Sequence, residues 1–154
     1  MSDPGSFTTR TLGPDDVDAM RALLGVFGAA FGDTETYCAA QPDAEYLRRL
    51  LAGESLIALV ALDGDVVVGG IAAYELHKFE QQRSEIYIYD LAVAVAHRRR
   101  GIATALIEEL KRVATQRGAY AIFVQADLGD GPAIELYSKL GVREDVLHFD
   151  IAPA

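Results

Sequence analysis

One stretch of the chain changes its apolar pattern twice and so limits the folds that are possible. Residues 85–95, EIYIYDLAVAV, are rich in β-branched and aromatic residues and predict a strand. Residues 101–118, GIATALIEELKRVATQRG, place apolar side chains at helical spacing and end in an Arg-Gly pair. Residues 119–126, AYAIFVQA, predict a buried strand. Strand, helix and strand in this order predict a right-handed crossover that joins parallel strands in an α/β fold.

The other segments add elements on both sides of this unit. Two helices, the first with Asp15 or Asp16 as its N-cap, precede a hairpin whose turn is DGD, and a helix and a strand close the chain. These predictions comprise a strand at 7–13, helices at 13–31 and 42–54, the hairpin at 55–76, a helix at 130–141 and a last strand at 146–152. The order β-α-α-β-β-β-α-β-α-β predicts a mixed sheet with helices on both faces, in a single domain over residues 1–154.

Composition narrows the class of partner. The chain has 154 residues, of which 51% are hydrophobic, and a formal net charge of -9 from 23 acidic and 14 basic side chains. Nucleic acid requires a basic surface, so the acidic balance argues against it and suits a polycationic small molecule, although solubility alone can also explain the charge.

The sequence contains no secretion signal, no membrane span and no cluster of metal-binding residues. The N-terminus, MSDPGSFTTR, has no secretion signal, and no apolar run reaches the length of a membrane span, so we expect a cytoplasmic protein that does not bind membranes. A single cysteine, Cys38, excludes an internal disulfide, and His77, His97 and His148 are too scattered to suggest a metal site.

Three consecutive arginines in this acidic chain precede the predicted long helix at Gly101. Unpaired backbone N–H groups converge at a helix N-terminus, and a glycine lets a ligand approach the backbone closely. Arginines beside such a turn add charge-assisted contacts, so residues 98–103 predict a pyrophosphate site. The chain contains neither G-x-x-x-x-G-K-[ST] nor G-x-G-x-x-G. A solvated loop with a simple turn glycine is the alternative.

Two motifs resemble signatures of the GNAT superfamily of N-acetyltransferases. Residues 98–103 match R-x-x-G-x-A, the acetyl-CoA-binding signature, and residues 130–142 resemble N-x-x-A-x-x-x-Y-x-x-x-G-F. The chain departs from the second signature with Asp130 in place of the usual Asn and Val142 in place of the usual Phe. Residues 78–107, 124–141 and 148–151 are also similar to the aminoglycoside 3-N-acetyltransferases of the gentamicin-resistance type, and this likeness covers nearly the whole chain from about Arg10.

The resemblance implies the GNAT fold and a direct transfer of acetyl from acetyl-CoA to the 3-amino group of an aminoglycoside, conferring resistance. It also implies a possible homodimer. By position in the motifs it assigns cofactor contacts to the end of the central strand, the arginine turn and the last helix. These are Leu91, Ala92, Val93, Arg98, Arg99, Arg100, Gly101, Ile102, Ala103, Thr104, Ala133, Tyr137 and Lys139.

The resemblance makes Tyr137 the general acid and leaves the base open between Glu85 and Asp90. In a regular strand, Glu85 shares a face with Tyr87 and Tyr89, while Asp90 points the other way unless a bulge turns it. A surface carboxylate that pairs with Arg83 or a neighbour is the structural alternative for either residue.

The resemblance places several carboxylates around the mouth that receives the acceptor, where together they would hold a rigid polycation. They are Glu80, Glu85, Asp127, Asp130 and Asp150. Two other functions remain open. One is a GNAT enzyme that acts on another polyamine, amino sugar or peptide amine, and the other is a non-catalytic acyl-CoA sensor.

Overall fold

One mixed sheet lies at the centre of the fold. The computed structural model describes residues 6–154. The sheet has five strands in the order β1-β2-β3-β4-β5, with antiparallel pairing from β1 to β4 and parallel pairing of β4 with β5. The strands are β1 (Thr8–Thr11), β2 (Leu56–Asp63), β3 (Val66–His77), β4 (Ser84–Val93) and β5 (Ala119–Val124). The parallel crossover predicted for the unit that ends in β5 is confirmed.

Four α-helices form where the sequence predicts them. They are α1 (Val17–Phe31), α2 (Ala44–Ala52), α3 (Ile102–Arg117) and α4 (Gly131–Leu140). A π-helical turn at Glu35–Ala39 and a 3-10 turn at Val95–His97 were not predicted. Asp16 takes the N-cap position of α1, but its carboxylate accepts the N–H of Gly13 at 2.7 Å instead of a helical N–H.

Two apolar cores lie on opposite faces of the sheet because successive side chains along a strand point to opposite faces. In β2, Ile57 and Leu59 pack with α3, whereas Ala58 and Val60 pack with α1 and α2. This two-residue period is the geometry of a strand buried on both sides. We call these the α3 face and the α1 face of the sheet. The prediction of helices on both faces is therefore confirmed.

The predicted last strand is wrong. Residues 141–154 form neither helix nor strand in the structure, and they are exposed throughout. A strand needs a hydrogen-bonded neighbour, and β5, the free edge of the sheet, pairs only with β4 within residues 6–154. We call residues 142–154 the C-terminal arm.

Two expectations from the sequence concern membrane-spanning segments and a secretion signal. Within residues 6–154, no helix is both long enough and apolar enough to cross a membrane. Residues 1–5, the start of the segment predicted to carry no secretion signal, lie outside the described residues.

Gly70 in β3 lets helix α1 pack directly on the sheet. A Cβ atom at this position would lie 2.5 Å from Leu23 Cδ1 and would also overlap the carbonyl oxygen of Leu59. Leu23 belongs to the α1-face core and is completely buried. Close packing at this point therefore requires glycine.

We expect Gly70→Ala to lower the free energy of unfolding by about 1–3 kcal/mol, because neither the β2 backbone nor a buried leucine can move away freely. Urea denaturation monitored by circular dichroism measures this change. The matched control is Gly25→Ala in α1, where an added Cβ meets no atom within 4 Å. An equal loss of stability in both variants would contradict the close-packing argument.

Candidate active site

A β-bulge interrupts β4 beside the predicted catalytic carboxylates. Ile88 pairs with Ala73 of β3, and Asp90 pairs with the adjacent Ala72, so Tyr89 between them has no partner in β3. A bulge of this kind adds one residue to one strand and moves every later side chain to the opposite face. From the sequence we expect Asp90 to share a face with Glu85 and Tyr87 only if a bulge turns it, and this bulge is present.

The packing on each side of the bulge shows this change of face. Ile86 and Ile88 belong to the α3-face core, whereas Ala92, an even number of residues later, belongs to the α1-face core. In an uninterrupted strand these three residues would share one face. Asp90 therefore lies on the α1 face, together with Tyr87.

Asp90 is a partly buried carboxylate held by one tyrosine. Tyr37, in the π-helical turn, donates its hydroxyl hydrogen bond to Asp90 Oδ2 at 2.9 Å. Burial raises the pKa of Asp90, and the bond from Tyr37 partly offsets that rise. Burial and the Asp90 carboxylate together raise the pKa of Tyr37. No Lys, Arg or His between residues 6 and 154 forms an ion pair with Asp90.

Glu85 has a different environment at the start of β4. Lys78 Nζ lies 3.2 Å from Glu85 Oε1, and the Tyr120 hydroxyl donates to Glu85 Oε2 at 3.1 Å. Lys78 also pairs with Glu80 at 3.7 Å. Arg83, the partner that the sequence suggests for Glu85, pairs with Glu80 instead and stacks over the ring of Tyr120. Both oxygens of Glu85 are thus engaged within the protein.

Four aromatic rings form a continuous row across the sheet next to Asp90. Tyr74 contacts Tyr89 at a centroid distance of 5.9 Å, Tyr89 contacts Tyr87 at 5.8 Å, and Tyr87 stacks on Phe123 at 4.6 Å. We call these four residues the aromatic row. Tyr89 is 61% exposed, so the row presents an open ring surface to solvent beside the carboxylate. Sugars bind well against such surfaces because their C–H faces are apolar.

Beyond the bulge, β4 and β5 separate and no longer pair. In residues 6–154 the pairing of these two strands ends at Ile88 and Val124. From Tyr89 to Val93, β4 pairs only with β3. The backbone groups of Leu91, Ala92 and Val93 that face β5 are therefore not used by the sheet, as the resemblance implies for a strand that holds a ligand.

The arginine turn after β4 has an unusual backbone. Arg99 has φ 63° and Gly101 has φ 78°, and Arg99 is the one non-glycine residue among residues 6–154 with a positive φ. Gly101 is the N-cap of α3 and supplies no side chain to cap it. The first backbone bond that closes the helix runs from Ala105 N–H to the Gly101 carbonyl. The N–H groups of residues 102–104 therefore point out of the helix end without helical partners.

The three arginines have different roles in the structure. Arg98 and Arg99 are exposed. Arg100 is engaged within the protein, because its guanidinium donates to the Ser6 carbonyl at 3.1 Å and contacts His97 Nδ1 at 2.7 Å and Asp63 at 3.4 Å. Arg100 thereby ties the turn to the β2–β3 hairpin, and Arg98 and Arg99 provide the accessible positive charge.

Helix α4 begins with a side-chain cap and carries the predicted acid. Asp130 Oδ1 accepts the N–H of Ala133 at 3.2 Å, so aspartate caps this helix at the position where the superfamily uses asparagine. Tyr137 packs against the α3-face core, and its hydroxyl has no hydrogen-bond partner in residues 6–154. Burial, with a smaller effect of Asp130, raises the pKa of Tyr137 to about 12. Lys139 is exposed and pairs with Glu135 at 3.6 Å.

The five carboxylates expected around the acceptor fall into three groups within one chain. Glu80 and Glu85 share Lys78. Asp127 and Asp130 belong to one turn before α4, and the N–H of the second donates to the carbonyl of the first. Asp150 lies on the C-terminal arm, where it contacts His148 at 2.9 Å. No hydrogen bond or ion pair joins the three groups among the described residues.

The arginine turn fits a diphosphate. Open space lies in front of Gly101, since a Cβ atom built there meets nothing within 4 Å. Three backbone N–H donors and the positive end of the α3 dipole lie at this turn, and the exposed Arg98 and Arg99 directly precede it, which is a donor set suited to phosphate oxygens. The residues that would hold the diphosphate are 98, 99 and 101–104.

Comparison with known proteins decides the family. A profile of the acetyltransferase (GNAT) family matches residues 22–142. The chain belongs to this family. Acetyl-CoA is the acetyl donor of GNAT enzymes, and the five-stranded sheet with helices on both faces is the GNAT fold.

Two solved structures of aminoglycoside acetyltransferases from uncultured soil metagenomic samples are similar to this GNAT chain. The first is 62% identical with a TM-score of 0.95, covering 97% of this chain and 99% of the other. The second, in complex with sisomicin, is 31% identical with a TM-score of 0.88, covering 96% of this chain and 97% of the other.

Curated relatives include eukaryotic N-acetyltransferases. N-alpha-acetyltransferase 30 from Schizosaccharomyces pombe is 30% identical over 66% of this chain and 67% of its own length. N-acetyltransferase 8B from Rattus norvegicus is 28% identical over 58% of this chain. The match spans only 40% of the length of that rat protein.

Sequence reasoning did not find Tyr37 and Tyr74. Tyr37 lies 53 residues before Asp90 in the chain, and no motif or spacing connects the two. Tyr74 faces Tyr87 across two paired strands, which depends on the register of the sheet. A search for tyrosines on predicted strands would have found the second residue but not the first.

We expect Tyr37→Phe to raise the pKa of Asp90 further, because the substitution removes a hydrogen bond to the charged form and leaves the burial in place. Titration of the Asp90 carboxyl carbon by NMR measures the shift. Tyr46→Phe is the matched control, since Tyr46 is an exposed tyrosine on α2. An unchanged Asp90 titration in Tyr37→Phe would contradict the proposed environment.

Proposed function

We propose that the protein acetylates the 3-amino group of gentamicin-type aminoglycosides with acetyl-CoA and thereby confers resistance to these antibiotics. The observation that carries the proposal is Asp90, a half-buried carboxylate with no cationic partner in the described residues, next to the exposed aromatic row. The 62% identity to an aminoglycoside acetyltransferase over nearly the full length supports this choice of acceptor.

The arginine turn and the end of β4 are the proposed donor site. Acetyl-CoA, when bound, supplies an acetyl group activated as a thioester. Arg98 and Arg99 would pair with the diphosphate, and the N–H groups at the start of α3 would donate to its oxygens. Leu91, Ala92 and Val93 would hold the pantetheine arm through the backbone groups that face away from β3, of which the Val93 carbonyl also accepts a hydrogen bond from Arg98 Nε at 3.3 Å, and one N–H there can donate to the thioester carbonyl oxygen.

Asp90 is the proposed general base. An aminoglycoside amine is an ammonium ion near neutral pH and must lose a proton before it can attack. A carboxylate whose pKa is raised by burial accepts that proton more readily than an ordinary surface aspartate. Glu85 is the weaker candidate because Lys78 and Tyr120 engage both of its oxygens.

Tyr137 is the proposed general acid. Its pKa of about 12 keeps the hydroxyl protonated at neutral pH, so it holds a proton that it can give to a departing thiolate. The hydroxyl makes no hydrogen bond within residues 6–154 and is therefore available to a ligand. Its contact with the α3-face core fixes the ring.

We propose that acidic side chains and the aromatic row together recognise the acceptor. A single exposed ion pair contributes only about 0–1 kcal/mol, so several carboxylates must act together on a polycation. Asp127 and Asp130 form no ion pair in the described residues, whereas Glu80 and Glu85 already pair with Lys78, and the aromatic row offers a surface for a sugar ring. The net charge of -9 adds long-range attraction.

A peptide amine is the second candidate acceptor, favoured by the similarity to N-alpha-acetyltransferase 30.

We expect purified protein with acetyl-CoA to release free thiol when gentamicin is added and not when spermidine or a peptide is added. NMR of the product identifies the acetylated nitrogen. Thiol release with peptide alone would favour the second candidate, and acetyl-CoA binding without thiol release to any amine would indicate a sensor.

We expect Asp90→Asn to lower kcat by about 100- to 10,000-fold, the usual contribution of a general base. Acetyl-CoA affinity, measured by calorimetry, should not change, because Asp90 lies outside the arginine turn. Glu85→Gln is the matched control and should retain most of kcat. If Glu85→Gln abolishes turnover and Asp90→Asn does not, the two roles must be exchanged.

A further inference from the structure

The π-helical turn at Glu35–Ala39 presents one tyrosine to the active site. Within this turn only Tyr37 is partly buried, and the other residues are exposed. An isolated π-helical turn is rare in proteins and is frequent at functional sites. The proposed mechanism gives no role to any residue of this turn, although the hydroxyl of Tyr37 contacts the proposed base.

The two carboxylate oxygens of Asp90 differ in their surroundings. Oδ2 accepts the Tyr37 hydroxyl at 2.9 Å, whereas Oδ1 accepts no hydrogen bond among the described residues and is not buried. The terminal torsion of an aspartate is broad, so a carboxylate without a partner rotates easily. The bond from Tyr37 therefore restricts this rotation and leaves Oδ1 available to the ammonium group of an acceptor.

Two phenylalanines of α1 restrict the ring of Tyr37. Phe27, which is buried, meets that ring edge-on at a centroid distance of 5.9 Å, and Phe31 meets it at 5.7 Å. The two phenylalanine rings also stack on each other at a centroid distance of 5.7 Å. The hydroxyl of Tyr37 thus extends towards β4 from an aromatic cluster that belongs to α1.

Gln41 fastens the backbone of the turn to the same helix. Its amide nitrogen donates to the Tyr37 carbonyl at 3.2 Å and to the Arg21 carbonyl at 3.4 Å. Its amide oxygen accepts a hydrogen bond from Arg21 Nη1 at 3.2 Å. The side chain of Gln41 therefore joins the backbone of Tyr37 to Arg21 in α1.

Gly28 of α1 lets the turn pack close to the helix. A Cβ atom at Gly28 would lie 2.8 Å from Cys38 Sγ and 3.3 Å from Tyr37 Cβ. The N–H of Asp33, just before the turn, donates to the Gly28 carbonyl at 2.9 Å. A larger residue at position 28 would therefore push the turn, and Tyr37 with it, away from α1.

We propose that Tyr37 is a positioning residue for acetyl transfer and that α1, through Gly28 and Gln41, sets the geometry of the hydrogen bond from Tyr37 to Asp90. The inference rests on the proposed function, in which Asp90 is the general base. The acceptor ammonium gives its proton to Oδ1, so that an N–H bond breaks, an O–H bond forms and the nitrogen lone pair becomes free to attack the thioester carbon. Tyr37 keeps its own proton, because burial and Asp90 raise the pKa of its hydroxyl.

The titratable groups that face Asp90 and Tyr37 carry no positive charge. They are Tyr74 of β3, Tyr87 and Tyr89 of β4, and Asp33 before the turn. Burial raises the pKa of Asp90, and among the described residues only the bond from Tyr37 opposes that rise. A weaker bond from Tyr37 must therefore raise the pKa of Asp90 further.

The first test moves the turn without changing Tyr37 or Asp90. We expect Gly28→Ala to lower kcat with gentamicin by about 10- to 100-fold, because the proton acceptor is misplaced. The acid limb of the kcat–pH profile should move to higher pH by about 1 unit, and acetyl-CoA affinity should not change. Gly25→Ala on the same helix is the matched control, since a Cβ atom there meets nothing within 4 Å. A Gly28→Ala profile equal to that of Gly25→Ala overturns the proposal.

A second substitution tests whether the turn is the route of the effect. Cys38→Ala removes the sulfur atom that a Cβ at position 28 would overlap. We expect Gly28→Ala/Cys38→Ala to recover most of kcat and the original acid limb, and Cys38→Ala alone to match the unmodified protein. Circular dichroism verifies that each variant folds. A lower kcat without a shifted acid limb, or no recovery in the double variant, overturns the proposal.

The third test needs no acceptor and therefore separates this inference from the proposed function. In the free protein, Gln41→Met should raise the midpoint of the Asp90 carboxyl titration, measured by NMR, by less than Tyr37→Phe does, since it loosens the bond without removing it. Gln116→Met, at an exposed glutamine of α3, is the matched control.

The outcomes of the third test distinguish the two claims. An unchanged Asp90 midpoint in Gln41→Met overturns the link to α1, even in a protein that acetylates gentamicin. A raised midpoint in a protein that acetylates no aminoglycoside supports the link between α1 and Asp90 and refutes the proposed acceptor.

Discussion

The unpaired Tyr89 in β4 turns the later half of the strand over, and the chemistry of the site depends on that turn. Without it, Asp90 would enter the α3-face core, where a carboxylate among aliphatic side chains would be strongly destabilising. With it, Asp90 reaches the α1 face and the hydroxyl of Tyr37. Just past the same point, β4 and β5 separate, so that β5 does not pair with the backbone of residues 91–93. One irregular residue therefore creates both halves of the site.

The three arginines of the turn differ in role, although they are adjacent in the sequence. Arg100 looks equivalent to its neighbours in the sequence, yet it anchors the turn to Asp63 and the Ser6 carbonyl. Fixing the turn in this way supports the left-handed backbone of Arg99 and Gly101, which a free loop would seldom maintain. The exposed charge then comes from Arg98 and Arg99, beside N–H groups that are already oriented. Preorganised donors of this kind lose little entropy when an anion binds.

Most of the fold could be predicted from the sequence because local patterns specify it. The hairpin turn at Gly64, the start of α1 at Asp16 and the helical spacing in α3 each involve residues close together in the chain. The π-helical turn with Tyr37 could not be predicted, since its position next to Asp90 depends on a contact across 53 residues. The last strand was predicted from alternation alone, which describes a face and says nothing about a neighbour to pair with.

The sequence by itself determined the order of elements as far as α4, the family and the glycine turn that begins α3, because each depends on a short run of residues and its local backbone geometry. Only the tertiary structure decided that Asp90 shares a face with Tyr87, that Lys78 and Tyr120 engage Glu85, and that the C-terminal arm finds no strand in its own chain. These outcomes depend on register and on contacts between distant residues. A pattern of side chains along one segment cannot contain that information.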